Sequence, residues 1–232
     1  MAKLIVIEGT DCSGKETQSK MLVDKLNEQG IKSTILSFPM YDTPTGKIIG
    51  ACYLGKEEMC KEILAPNIIG LFPESAPNVD PITSSLFYAA DRRYNLPILE
   101  KKMEEYDVII LNRYTYSNMA HQAGKIENEN ERTFMFQMLD NLEFNVCRLP
   151  RPDKTIFLHV PYQKAIELRN KRIEKPDQNE LSIEHLKNAE KTYLQLSDYY
   201  NFETIDCVID NEMKSKEDIH KEIYKIIEKI VK

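Results

Sequence analysis

Residues 9–18, GTDCSGKETQ, place two glycines and a lysine in the pattern G-x-x-x-x-G-K. The segment follows an apolar run and opens a helical stretch, and that context gives the pattern a mechanism. Glycines let the backbone curl around an anion, successive N–H groups point inward, and the helix N-terminus adds positive potential. Lys15 then reaches the outer phosphates as a point charge. Gly9, Thr10, Cys12, Ser13 and Gly14 form the expected cradle, with Thr17 beside it. Asp11, inside the loop, has the chemistry to accept a sugar hydroxyl, to pair with an arginine, or simply to form the turn. Glu16 stands where such loops place the Ser or Thr that holds magnesium, so the metal corner is altered.

The elements that must position this loop show as alternating runs. Short apolar, β-branched stretches at 4–7, 34–38, 108–111, 155–160 and 204–209 alternate with longer amphipathic ones. These predict an α/β fold with a parallel sheet, its strands mostly apolar throughout because helices cover both faces. Helices are expected over 15–29, 81–106, 129–145, 162–172, 183–201 and 215–231. The last carries Ile219, Ile223, Ile226, Ile227 and Ile230, a helical stripe that reads as core packing. Residues 56–78 hold three prolines and no clear period, which predicts an irregular excursion or a short helix plus loop. No boundary divides the chain, so a single domain over 1–232 is expected.

Composition narrows the class. The 232 residues are 42% hydrophobic and 29% charged, ordinary for a globular protein with a real core. A net charge of −6 weighs against a nucleic-acid or anionic-membrane binder. Cys12, Cys52, Cys60, Cys147 and Cys207 are odd in number and scattered, which predicts reduced thiols and a cytoplasmic protein. No apolar run approaches the roughly 18 residues of a membrane helix.

Beyond the loop, further segments follow in a telling order. They are FPMYDTPTGKIIGACYL (38–54), DPITSSLFYAADRR (80–93), NRYTYSNMAHQ (112–122), LPRPDKTIFLHV (149–160) and DQNELSIEHLKNAEKTYLQL (177–196). Together with IVIEGTDCSGKETQ, they make the sequence resemble the thymidylate kinase family of P-loop nucleoside monophosphate kinases over most of its length. Only 56–78 looks inserted. The resemblance implies a three-layer P-loop NTPase fold, a five-stranded parallel sheet flanked by helices, and a lid over about 169–180. It also implies phosphoryl transfer from ATP to dTMP, giving dTDP and ADP, with Mg²⁺ as cofactor and a homodimer as the usual assembly.

The resemblance also assigns roles. Tyr88 falls where the family stacks a ring on the base, which suits an aromatic face. Arg92 and Asn118 fall on the base edge, and Arg113 and Tyr41 on the acceptor monophosphate. Asp11 falls on the sugar 3′-hydroxyl, and Phe38, Pro39, His121 and Gln122 complete the acceptor site. Lys15, Arg113, Arg169 and Arg172 are the expected catalytic charges, because Cys12 stands where some members carry an arginine. Glu16, Thr17 and Glu180 are the candidates near the metal.

Three departures bear on the transfer. Glu16 replaces the usual Ser/Thr, Asn112 the aspartate of D-R-Y, and His121 an aromatic residue at the position that discriminates deoxyribose from ribose. The first two read as one compensating exchange of a carboxylate. Two rivals stay open: a kinase for another nucleotide or nucleoside, and a nucleotide-binding regulatory protein that has lost catalysis.

Overall fold

The computed structural model describes residues 2–65, 67–173 and 175–231. In chain order it runs β1 (Lys3–Gly9), α1 (Lys15–Glu28), β2 (Ser33–Ser37), α2 (Pro44–Lys47) leading into a π-helical turn (Ile48–Tyr53), and α3 (Glu57–Ile63). A 3₁₀ turn (Ala76–Asn78) then precedes α4 (Pro81–Tyr94), α5 (Leu96–Glu105), β3 (Val108–Asn112), α6 (Thr115–Ala123) and α7 (Glu129–Asp140), which continues as a second π-helical turn (Asn141–Val146). The chain closes with β4 (Lys154–His159), α8 (Tyr162–Asn170), α9 (Gln178–Leu181), α10 (Ile183–Tyr200), β5 (Glu203–Asp206), the hairpin strands β6 (Val208–Ile209) and β7 (Glu212–Met213), and α11 (Lys216–Val231).

The five main strands form one parallel sheet in the order β2-β3-β1-β4-β5. Its two faces are buried by separate cores. One joins Ile5, Ile7, Leu22, Ile110 and Leu158 to the α11 stripe, where Ile219, Ile223 and Ile227 are buried. The other packs Leu4, Val6, Leu96, Leu99 and Leu111 with Phe38 and Tyr114. The three-layer architecture is therefore as the sequence implied. A third cluster, built on Met119, Phe136, Phe157 and Tyr193, packs α6, α7 and α10 together beside the sheet.

Several boundaries differ from the expectation. The helix at 81–106 is two helices, because the chain turns at Asn95 just ahead of Pro97. The strand at 204–209 ends at Asp206, and Val208–Ile209 belongs to a small antiparallel hairpin instead. Helix α6 was not foreseen. Residues 56–78 do contain a short helix, α3, and then a loop; Pro66 within them lies outside the described residues, as does Glu174 within the expected lid.

Parallel pairing aligns the C-terminal strand ends. Ile7 registers with Asn112, Ser37 with Asn112, and Gly9 with Leu158. The loops after β1, β2 and β3 consequently emerge on one edge, where ligands bind in open α/β sheets.

Candidate active site

The phosphate loop is fixed by sterics first. A Cβ on Gly9 would lie 2.5 Å from Ser13 Oγ and 2.8 Å from the Leu158 carbonyl, so only glycine fits this close approach. Cys12 (φ 59°) and Gly14 (φ 83°) take left-handed conformations, which curl the chain before α1 begins at Lys15. Thr10 Oγ1 ties the loop to the Val160 carbonyl at 3.2 Å. Lys15 is buried, donating to the Thr10 carbonyl at 2.6 Å and to Ser13 Oγ at 3.3 Å. Burial, with Arg113 adding repulsion, pushes its ammonium down to about 7. A site that pays to hold a cation in this way gains most when an anion arrives.

Beside the loop a cavity of about 430 Å³ opens between the strand ends, α4, α6 and the chain at Asp177–Asn179. It brings together Asp11, Phe38, Pro39, Tyr41, Tyr88, Arg92, Arg113, Asn118, His121 and Gln122, every residue placed in the acceptor site from sequence, and Glu16, a candidate near the metal, lines it too. Arg113 is its hub. Its left-handed backbone (φ 64°) swings the side chain back under the loop. There Nη2 pairs with Asp11 Oδ1, while Nη1 donates to the Gly9 carbonyl (3.2 Å), Ser117 Oγ (3.1 Å) and Tyr193 Oη (3.3 Å). Burial raises the Asp11 carboxyl, but Arg113, His121 and Lys15 override it and hold Asp11 well below the usual range.

His121 Nε2 lies 3.3 Å from Arg113 Nη1, and His121 Nδ1 lies 3.0 Å from His185 Nε2. A guanidinium only donates, so His121 Nε2 accepts and its Nδ1–H donates onward. Burial holds both rings neutral: His121 is lowered well below its ordinary value and His185 to about 4.

The base-edge residues are committed to one another. Arg92, almost wholly buried, makes a two-point ion pair with Glu143 through Nε (2.8 Å) and Nη2, and Nη1 reaches the Tyr114 carbonyl at 3.4 Å. Asn118 Nδ2 donates to the Ser85 carbonyl (3.1 Å) and Glu143 Oε1 (2.9 Å). Asn118 Oδ1 and both amide atoms of Gln122 are buried and have no partner among the described residues. Tyr88 packs edge-on against Tyr53, the ring centres 5.9 Å apart, and also lines the cavity. The Phe38–Pro39 peptide is cis, and the following turn is held by Asp91, which accepts from Met40 N (3.0 Å) and Thr45 Oγ1 (2.7 Å).

In the lid region Arg169 Nη1 donates to the Glu180 carbonyl, and Arg172 Nη2 pairs with Glu180 Oε2 at 2.8 Å. Glu180 also closes a capping box with Asp177 at the start of α9. Its carboxylate is thus spent on the lid. Burial pushes the Cys12 thiol up, and Arg172 is the charge that most opposes this, so Arg172 acts across to the phosphate loop.

Among the described residues no three His, Cys, Asp or Glu side chains group as a metal cage. Magnesium rarely needs one, since it binds through one or two carboxylates, waters and substrate phosphates. Glu16 and Asn112 line the same cavity; among the described residues Asn112 Oδ1 is buried without a partner, and Glu16 pairs with Lys20 at 2.5 Å. This oxygen pair fits such a hard cation; Glu180, committed to Arg172 and Asp177, does not add to it.

Sequence reading missed Glu8, Glu143, Asp91, His185 and Tyr193. Glu8 alone carries a local signal, a charged residue inside the apolar run before Gly9. The others meet their site partners across long stretches of sequence, as Asp91 does Met40 and Thr45.

A glycine-rich loop between β1 and α1, beside a cavity lined by Asp11, Arg92 and Arg113, is the arrangement of a P-loop nucleotide kinase. A family profile described as "Thymidylate kinase" matches residues 7–223. The chain belongs to the thymidylate kinase family. Its relatives include a probable thymidylate kinase of Methanocaldococcus jannaschii, 30% identical across 94% of this chain and 92% of that one. A probable thymidylate kinase 1 of Saccharolobus solfataricus is 30% identical across 99% and 98%. The fold is shared with the solved thymidylate kinase of Candida albicans at a TM-score of 0.69 and 24% identity, over 98% of this chain and 92% of that one. Membership carries phosphoryl transfer to a nucleoside monophosphate. No helix among the described residues is long and apolar enough to cross a membrane.

Proposed function

We propose that the protein transfers the γ-phosphoryl group of ATP to dTMP, giving dTDP and ADP. The carrying observation is one cavity, reached from the phosphate loop by Asp11, that holds the Arg113–Asp11 pair and the Arg92–Asn118 base-edge pair together. Transfer between two bound phosphates needs positioning and charge stabilisation, not a covalent intermediate. Lys15 and the loop N–H groups hold the donor phosphates. Arg113 turns toward the acceptor phosphate, with Asp11 keeping it in place and presenting an acceptor to the sugar hydroxyl. Arg172 and Arg169 neutralise charge on the transferring group from the lid side, and Tyr88 stacks on the base. Glu16 and Asn112, with Thr17 nearby, would hold magnesium, which supplies charge neutralisation at the phosphates when bound. A homodimer is part of the same reading and rests on the family alone.

The test is ADP release measured against a panel of nucleoside monophosphates with ATP and magnesium. The highest kcat/KM is expected with dTMP. A higher value with another acceptor would reassign the substrate, and ATP binding without turnover of any acceptor would overturn the enzyme reading.

A further inference from the structure

Asn118 reads the cavity with one atom only. Its Nδ2 is engaged twice, by the Ser85 carbonyl at 3.1 Å and Glu143 Oε1 at 2.9 Å. Its Oδ1, fully buried at the cavity wall, is left as an acceptor without a partner among the described residues. Exchanging the amide's two ends would set an oxygen against a carbonyl and a carboxylate at once, so the network fixes the orientation. Gln122, in the same wall, has neither amide atom engaged and carries no such bias.

Glu143 also sets Arg92. It takes the Nε and Nη2 edge, and the Tyr114 carbonyl takes one hydrogen of Nη1. A guanidinium has five N–H donors, so hydrogens on Nη1 and Nη2 are left for a ligand in the cavity that Arg92 lines. One buried carboxylate therefore produces a donor and an acceptor together: N–H from Arg92 and C=O from Asn118. The complement on a pyrimidine is a carbonyl at C4 beside an N3–H. Thymine and uracil present that order, while cytosine presents the reverse, an amino group at C4 and a bare N3.

We propose that Glu143 is a positioning residue that makes the Arg92–Asn118 pair select 4-oxo, N3–H pyrimidines against cytosine. This rests on the reading of the cavity as the acceptor nucleotide site. A site built to pair buried polar groups rejects the mismatched partner by far more than a change of shape would, on the order of 10²-fold or more in kcat/KM.

Wild-type enzyme is assayed with dTMP, dUMP, dCMP and N3-methyl-dTMP, alongside Asn118→Ala and Glu143→Ala, each checked for folding by circular dichroism. Wild type should turn over dTMP and dUMP and discriminate against dCMP and N3-methyl-dTMP by about 10²-fold. Glu143→Ala should lose at least tenfold in kcat/KM for dTMP, mainly through KM, and its dTMP-to-dCMP ratio should fall several-fold. A purely structural loss would lower both substrates together and keep the ratio. An unchanged ratio in an active Glu143→Ala enzyme overturns the role of Glu143 while leaving the kinase reading intact. If that variant does not fold, Glu143→Gln, which keeps the volume and one acceptor oxygen, takes its place: an unchanged dTMP-to-dCMP ratio in it overturns the role of Glu143, and wild-type turnover of N3-methyl-dTMP or dCMP on a par with dTMP overturns the inference. Failure of wild type on every nucleotide would instead overturn the acceptor-site reading, and this inference with it.

Discussion

The Glu8 carboxylate, at the end of the central strand β1, accepts the Ser117 hydroxyl at 2.5 Å from the first turn of α6. It also accepts Tyr114 N (2.9 Å), Ser117 N (3.1 Å) and the Tyr193 hydroxyl (2.9 Å). A fully buried charge is tolerated here because the start of α6, through Tyr114 and Ser117, and Tyr193 of α10 all donate to it. The same helix start carries Ser117 and Asn118 into the cavity, so Glu8 links the core of the fold to the site.

Glu8→Ala strands those donors in the interior. The expected loss is about 3 kcal/mol of stability, read as a lower urea midpoint at unchanged slope. Glu8→Gln keeps the acceptor on one side and should lose less. Equal midpoints for wild type and Glu8→Ala would show that the network contributes nothing net.

Lys15 gives a pH prediction with a defined sign. Held near 7 in the free protein, its ammonium is largely deprotonated at pH 8, and nucleotide phosphates favour the protonated form. Binding must then take up a proton, so ATP affinity should weaken as pH rises above 7, by at most about tenfold per pH unit. Titration calorimetry at pH 8 in buffers of different ionisation enthalpy should report uptake approaching one proton. Lys15→Arg, whose charge does not titrate in this range, should bind with no such uptake.

What the sequence revealed, and what it hid, follows from how each element is buried. Strands β1, β3 and β4 are centred on the apolar runs Leu4–Ile7, Val108–Leu111 and Ile156–Leu158, and α11 has a clean stripe, so all were legible. Helix α6 was hidden because every residue except His121 is buried, which leaves no polar face and no period to detect. Residues 56–78 lack a pattern because their order comes from elsewhere. Lys125 Nζ bonds the Val79 carbonyl at 2.8 Å and the Ala76 carbonyl at 3.0 Å, and Gln178 Oε1 takes Ala76 N at 2.7 Å. Motif residues of the cavity were legible by type and order. Their partners were not, since Arg92 and Glu143 meet only after the chain has crossed the sheet and returned.

His121 and His185 predict an acid-sensitive fold. Both rings stay neutral in the native state well below their ordinary value, His185 down to about 4. Unfolded histidines protonate near 6.5, so between about 6.5 and 4 the unfolded state binds more protons and native stability falls on acidification. The slope is at most about 1.4 kcal/mol per pH unit for each ring. Asp177, raised to about 6 by burial, contributes the opposite slope over part of this window. Comparing urea midpoints of wild type and His121→Phe from pH 7 to 4.5 removes that common term. The variant should lose less stability on acidification; parallel curves would show that His121 is not the sensor.

Glu16 and Asn112 are the two residues proposed to hold magnesium. Each would be an ordinary difference alone, but both line one cavity, and among the described residues the Asn112 Oδ1 atom is buried without a partner. In a site that holds magnesium, Glu16 supplies a carboxylate and Asn112 lacks the one its family position usually has, so total charge at the cation is conserved. Glu16→Thr leaves no carboxylate, and Asn112→Asp supplies two near the triphosphate. Glu16→Thr should therefore raise the magnesium concentration needed for half-maximal turnover, by about tenfold if one charge-assisted ligand contact is worth about 1.4 kcal/mol, and Asn112→Asp should lower the rate by setting a second carboxylate against the triphosphate. The double variant restores one carboxylate at the other end of the site and should return toward wild type. The measurement is initial rate against free magnesium at saturating ATP for all four proteins. If the double variant does no better than the product of the two singles, the positions act independently and the exchange is not compensatory.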